Sequence, residues 1–144
     1  LTTELEQTIE IDLHTKIGES YILLEDFEQA KGAFINAFGI CDESMSKEVR
    51  EILHCLCQCF YELRMYDRSI ELGESAISMN RHYQGVYKYV ALSYKASGNL
   101  DKAIEVMNMA AAYETPWDDS NKLTVKQMLQ ALLEEKRNTT NETD

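Results

Sequence analysis

The feature that most constrains this chain is self-similarity at an interval near 34 residues. Tyr21, Phe60 and Tyr94 occupy the same place in a pattern that occurs three times. Nine residues after each comes a small side chain: Ala30, Ser69 and Ala103. Four further on come Phe34, Gly73 and Met107, and three beyond those Ala37, Ala76 and Ala110. Three residues before each anchor stand the small Gly18, Cys57 and Ala91, preceded by the apolar Ile17, Leu56 and Val90. These six columns agree in size and polarity, with one lapse at Gly73. The last two units are 34 residues apart and the first two 39; the extra five fit the polar stretch Cys41 to Ser46, which reads as a longer connection.

Each unit reads as two helices. In the first, Leu13, Ile17, Tyr21 and Leu24 recur at helical spacing and predict a packed row. A break follows at Glu25-Asp26, and a second helix carries Ala30, Phe34 and Ala37 on one face. The middle unit has Leu53, Leu56 and Phe60, then Ile70, Ala76 and Ile77. The third has Tyr87, Val90 and Tyr94, a Ser97-Gly98-Asn99 turn, then Ala103, Ile104, Met107 and Ala110. Two antiparallel helices need thin contact points for their axes to approach to about 8 Å, and the small columns supply them. The aromatic residues fill the space beside those points.

This pattern resembles the tetratricopeptide repeat, with its helix–turn–helix unit and L-G-x-x-Y … A-x-x-x-F … A … P signature. Ile17-Gly18-Glu19-Ser20-Tyr21 with Ala30, Phe34 and Ala37 carries it best, and Val90-Ala91-Leu92-Ser93-Tyr94 with Ala103 and Ala110 nearly as well. The middle unit is degenerate: Cys57, Ser69 and Gly73 stand where Gly, Ala and an aromatic residue are expected. The closing proline is absent after two units, and Pro116 falls one residue late after the third. The resemblance implies an all-α fold, an α-solenoid of antiparallel helix-turn-helix repeats, with repeats at about 11–44, 50–83 and 84–117 in one domain over 1–137. Thr3-Glu4-Leu5-Glu6 is a capping-box pattern, and Leu5 and Ile9 lead into Leu13 and Ile17 at i+4, so the first helix is expected to start near Thr3. Thr115-Pro116 and Ser120 offer start chemistry for a capping helix over about 116–137. Its apolar stripe is Val125, Met128, Leu129, Leu132 and Leu133, one face to cover the last repeat while the other meets water. Residues 138–144 are expected to be a disordered tail.

Composition narrows the function. The 144 residues hold 14 Lys+Arg against 25 Asp+Glu, a net charge of −11. Such a surface repels phosphate backbones and anionic membranes, so neither nucleic acid nor membrane is an expected partner. No apolar run approaches the roughly 20 residues that span a bilayer, and no signal peptide opens the sequence. Of the four cysteines, Cys55, Cys57 and Cys59 fall within five residues, a poor disulfide framework. Reduced thiols and a cytoplasmic setting are the expectation. The sequons at Asn138 and Asn141 point the other way, but such triplets are common by chance.

No catalytic or cofactor chemistry is legible, and none is expected. P-loop, dinucleotide fingerprint and nucleophile elbow are all missing, and glycine is too scattered to cradle a phosphate. Cys55 and Cys59 share a helical face beside His54, yet a structural zinc needs four ligands and no second pair is evident. Cys57 instead fills the small-residue column, with Cys55 and Cys59 packing as small apolar groups. Carboxylate pairs are numerous enough to arise from solvated acidic faces alone. The methionines are spread over separate elements and read as core or helix-end packing.

The resemblance implies that first helices line an inner, concave side. Residues 15 and 19 lie about 200° round the helix from Ile17, on the face away from the packing row. The candidate peptide-binding stripe is therefore Asp12, Thr15, Glu19, Ile22 and Leu23; then Glu51, His54, Gln58, Tyr61 and Glu62; then Gly85, Lys88, Leu92, Lys95 and Ala96. Such a groove is acidic over two units, with apolar contact from Leu23, Tyr61 and Leu92. It suits an extended peptide or partner helix with basic and apolar residues. One branch of the family grips acidic C-terminal tails of heat-shock chaperones with Lys, Asn, Asn, Lys and Arg; the matching positions here are Thr15, Glu19, Cys55, Gly85 and Tyr89, and none agrees. A chaperone tail is therefore not the expected partner. An adaptor or scaffold module is favoured over a self-associating homo-oligomer and over a regulatory domain of a larger protein.

Overall fold

The structure, a computed structural model, describes residues 2–114 and 119–142. Among them lie seven α-helices and no strand: α1 Thr2–Leu23, α2 Phe27–Ile40, α3 Ser46–Glu62, α4 Tyr66–Met79, α5 Tyr87–Ala96, α6 Leu100–Ala112 and α7 Asp119–Glu142, with a 3₁₀ turn at Gln84–Val86. α1 packs on α2, α3 on α4 and α5 on α6; α2 also meets α3, α4 meets α5 and α6 meets α7. The result is the all-α solenoid of antiparallel hairpins that the repeats predict. α3 and α5, first helices of successive units, also touch directly.

The three hairpin turns are built alike. The carbonyls of the anchors Tyr21, Phe60 and Tyr94 accept the N–H groups of Asp26, Met65 and Asn99 at 2.8–2.9 Å. Ile22, Tyr61 and Lys95 accept from Glu25, Arg64 and Gly98. This is the Schellman pairing, with one residue in the left-handed region closing each first helix. That residue is Gly98 (φ 86°) in the third hairpin but Glu25 (φ 58°) and Arg64 (φ 61°) in the others, where a Cβ makes the conformation costly. Asp26 and Asn99 then cap the following helices, accepting from the Gln29 and Lys102 N–H groups.

The small columns form the seams. Ala30, Ser69, Ala103, Ala37, Ala76 and Ala110 are all fully buried. The lapse at Gly73 has a physical reason. A Cβ added there would collide with Val90 Cγ2 and lie 2.8 Å from Cys57 Sγ. In the first hairpin the Phe34 ring covers Gly18, where an added Cβ would lie 2.6 Å from Cζ. The second hairpin distributes the volume the other way, with a thiol on the first helix and nothing on the second. Three polar groups close this seam: the Ser69 hydroxyl donates to the Cys57 carbonyl (2.8 Å) and accepts from the Ser93 hydroxyl (2.9 Å). Because all three are buried, each needs such a partner.

The first helix departs from expectation. Leu13 is 56% exposed, Ile17 38% and Leu24 74%, and Leu5 and Ile9 lie open on the same side. The face that packs carries Ile11, Gly18, Tyr21 and Ile22, with the Gln7 amide donating to the Ile40 carbonyl at 2.6 Å. The column explains the difference. Leu56 and Val90, which match Ile17, are buried in helices that pack on the preceding α2 and α4. Among the described residues no helix precedes α1. Burying such an aliphatic side chain is worth about 1.5–3 kcal/mol, so this row is where the array lacks a neighbour.

At the other end α7 covers the last hairpin. Val125 and Leu132 are buried in the core around Tyr87, Met107 and Ala110, with Met128 and Leu129 partly buried against it, while Leu133 is exposed. Lys95 pairs with Glu135 (3.1 Å) and Lys136 with Asp101 (2.8 Å). α7 runs to Glu142, so residues 138–142 are helical where a disordered tail is expected. The Thr139 and Thr140 hydroxyls donate to the Glu135 and Lys136 carbonyls, and the Lys136–Asp101 pair ties down the preceding turn. The expected start at Thr115-Pro116 lies outside the described residues.

Candidate functional site

α3 has three faces. Ile52, Leu56, Cys59 and Phe60 enter the core shared with the first hairpin, while Leu53 and Cys57 enter the core of the second and third. Glu51, His54, Gln58, Tyr61 and Glu62 remain, exposed or half-buried. This remaining face meets side chains from α1 at one end and α5 at the other.

Between α1 and α3 lies a cleft of about 230 Å³ lined by Thr8, Ile11, Asp12, Thr15, Met45, Lys47, Glu48, Glu51 and Ile52. It joins Asp12 and Thr15 to Glu51 across two units. Glu19 and Glu51 both bear on Cys55: burial first, then these two carboxylates, push its thiol up to about 12. Three acidic groups of the candidate stripe thus surround one half of the face.

The other half is aromatic. His54 Nδ1 lies 2.8 Å from the Tyr83 hydroxyl, with the rings edge to face at 5.3 Å. Tyr89 stands 6.0 Å from His54 and 5.9 Å from Tyr61, and Tyr66 lies 6.0 Å from Tyr61. Burial lowers the His54 pKa, so the ring is neutral near pH 7. Burial raises the Tyr89 hydroxyl, and the Glu62 charge adds to the effect. Arg50 lies 5.1 Å from the Tyr83 ring centre; its Nε is buried without a hydrogen-bond acceptor, so the ring face is its electrostatic partner. Lys88 lies 5.5 Å from the Tyr89 ring centre.

The stripe is not uniform. Leu23 is fully open, Gln58 and Leu92 are half-buried, and Ala96 is exposed. Ile22 packs into the first core and Lys95 turns to Glu135 of α7, so both are engaged elsewhere. Gly85 backs onto the His54 ring, where an added Cβ would lie 2.6 Å from Cε1. Sequence reasoning missed Tyr66, Tyr83 and Arg50 and used Tyr89 only as a mismatch. The density of tyrosine from residue 61 to 89 is the signal that could have found them.

The thiols are poor nucleophiles here. All four cysteines are free, and burial raises Cys57 to about 11 and Cys59 to about 12. Among the described residues no group of three or more His, Cys, Asp or Glu side chains is placed to hold a metal, and no helix is long and apolar enough to cross a membrane.

No family profile matches the chain, and no curated protein matches it. Solved structures do. The Hsp90 co-chaperone Cns1 from Saccharomyces cerevisiae superposes with a TM-score of 0.85 at 17% identity, over 96% of this chain and 43% of that one. The chain thus spans less than half of Cns1 as solved. The TPR2B domain of yeast Sti1, solved with an Hsp70 peptide, gives 0.77 at 14% identity, over 88% and 98% of the two chains. The second TPR domain of human RPAP3, in complex with the HSP70 peptide SGPTIEEVD, gives 0.68 at 10% identity, over 85% and 97%. At these identities the likeness fixes the fold, and the fold is that of tetratricopeptide-repeat domains.

Proposed function

We propose that this chain is a non-catalytic protein-interaction module, an adaptor or scaffold, that holds a basic and apolar peptide or helix of a partner in the groove along α1, α3 and α5. The observation that carries the reading is the α3 face. Acidic groups from α1 and α3 (Asp12, Glu19, Glu51, Glu62) share it with half-buried aromatic rings, and its thiols are held protonated. Such a surface attracts a cationic, apolar segment and offers no reactive centre. Protonated, buried thiols also suit a reducing, cytoplasmic setting.

The Sti1 and RPAP3 domains were solved with chaperone peptides, and the RPAP3 peptide ends Glu-Glu-Val-Asp. An acidic ligand of that kind is not proposed here. Glu19 and Glu51 would repel its carboxylates, and Gly85 and Tyr89 stand where basic side chains would be needed. The test is fluorescence anisotropy with a labelled leucine–lysine peptide and its leucine–glutamate counterpart. The lysine peptide should bind and the glutamate peptide should not, and reversal at Glu19 and Glu62 should weaken the former about tenfold. Preference for the glutamate peptide would refute the reading.

The open row Leu5, Ile9, Leu13 and Ile17 favours a second reading, self-association through α1. Light scattering after size exclusion separates the two: a monomer at micromolar concentration removes the second.

A further inference from the structure

The ring wall holds more information than overall charge. Tyr66, Tyr61, Tyr89, His54 and Tyr83 form a continuous row, each ring centre 5.3–6.0 Å from the next, and all five are half-buried. The face of an aromatic ring is negative and attracts cations, more strongly as water is excluded. Two rings already hold a cation of the chain itself, Arg50 at Tyr83 and Lys88 at Tyr89. Among the described residues none lies over Tyr61. Tyr61 and Tyr89 are tilted by 52°, which leaves a step between them rather than a flat stack. Glu62 follows Tyr61 on the helix, and its charge is felt at the Tyr89 hydroxyl.

We infer that the Tyr61–Tyr89 step seats an arginine of the bound peptide, its guanidinium on the rings and its charge countered by Glu62. The inference rests on the groove reading and narrows it. Arginine fits better than lysine because the guanidinium is planar, weakly hydrated and stacks on rings, whereas an ammonium keeps its water and offers no flat face. The chain's own Lys88 competes for the Tyr89 face. Replacing Lys88 with a neutral side chain of similar length therefore opens the seat.

The experiment uses the whole chain and three labelled peptides in which leucine alternates with arginine, lysine or citrulline, read by fluorescence anisotropy. Citrulline keeps the planar shape without the charge. The arginine peptide should bind about fivefold tighter than the lysine peptide, the scale of one cation–π contact, and tighter still than the citrulline peptide. Tyr61→Leu should abolish the preference for arginine over lysine while circular dichroism stays native, and Tyr61→Phe should keep it. Lys88→Met should strengthen arginine binding more than lysine binding. Equal binding of the arginine and lysine peptides, or a preference that survives Tyr61→Leu, overturns the seat and leaves the groove standing. If none of the three peptides binds, or reversal at Glu19 and Glu62 has no effect, the groove reading falls and the seat with it.

Discussion

Two faces of α3, side by side on one helix, are solved by different physics. The seam face carries Leu53 and Cys57 against α4 and α5. There Cys57 is fully buried and Leu53 nearly so, the Ser93 hydroxyl donates to the Ser69 hydroxyl, and the Ser69 hydroxyl donates to the Cys57 carbonyl. The groove face carries His54, Tyr61 and Glu62, whose rings touch edge to face or tilted and leave surface open. A closed seam can be fully satisfied by the chain alone. A row of half-covered rings beside carboxylates leaves surface on which a partner can be seated. Substitutions on the first face should therefore change stability, and those on the second binding.

The largest effect is expected at Gly73. Gly73→Ala places a Cβ into Val90 and Cys57, an overpacking that should cost about 2–3 kcal/mol in urea unfolding. Val90→Ala in the same chain should recover part of that loss; purely additive costs would show that the collision is not the cause. Next, Ser69→Ala leaves the Cys57 carbonyl and the Ser93 hydroxyl without this partner and should cost about 1–2 kcal/mol. On the groove face, Glu62→Lys should weaken binding of a leucine–lysine peptide several-fold yet keep stability within about 0.5 kcal/mol. A change of melting temperature as large as that of the seam variants would erase the distinction between the faces.

Smaller effects sharpen the comparison. Arg64→Gly removes a Cβ from a left-handed residue at the end of α3 and should stabilise the chain by up to about 1 kcal/mol. Gly98, already glycine in the matching turn, gains nothing of the kind. Burial holds the His54 pKa below 6.5, so between its folded value and 6.5 the unfolded chain binds the extra proton. Stability from this group is therefore full above pH 6.5, declines as pH falls toward the folded value, and levels off once both states are protonated. His54→Gln should flatten that stretch of the stability–pH curve; an unchanged slope would assign it to other groups.

The seams were legible in the sequence because size and spacing alone define them. Ala30, Ser69 and Ala103 can be read as contact points without knowing what they touch. The turn at Ser97-Gly98-Asn99 and the longer connection after Cys41 were legible for the same reason. The packed row of α1 was not. Both Leu13–Ile17 and Ile11–Gly18 follow helical spacing, and what decides which lies open is that no helix packs ahead of α1 among the described residues. Gly73 read as a lapse because the volume it lacks is supplied by Cys57 and by Val90, a residue of the next unit. That Asp12, Glu19, Glu51 and Glu62 face outward could be read from helix geometry, since each depends only on its own helix. The ring wall depends on how α3 meets the segment from Tyr83 to Tyr89, a tertiary relation that no single helix records.

The most direct test of the central claim is amide chemical-shift mapping of the ¹⁵N-labelled chain titrated with the leucine–arginine peptide. Shifts should concentrate at Asp12, Glu19, Glu51, His54, Tyr61, Glu62 and Tyr89, saturate together, and leave Leu5, Ile9 and Leu13 on the outer side of α1 unmoved. Shifts that cluster along Leu5, Ile9 and Leu13 while the α3 face stays still would contradict the account.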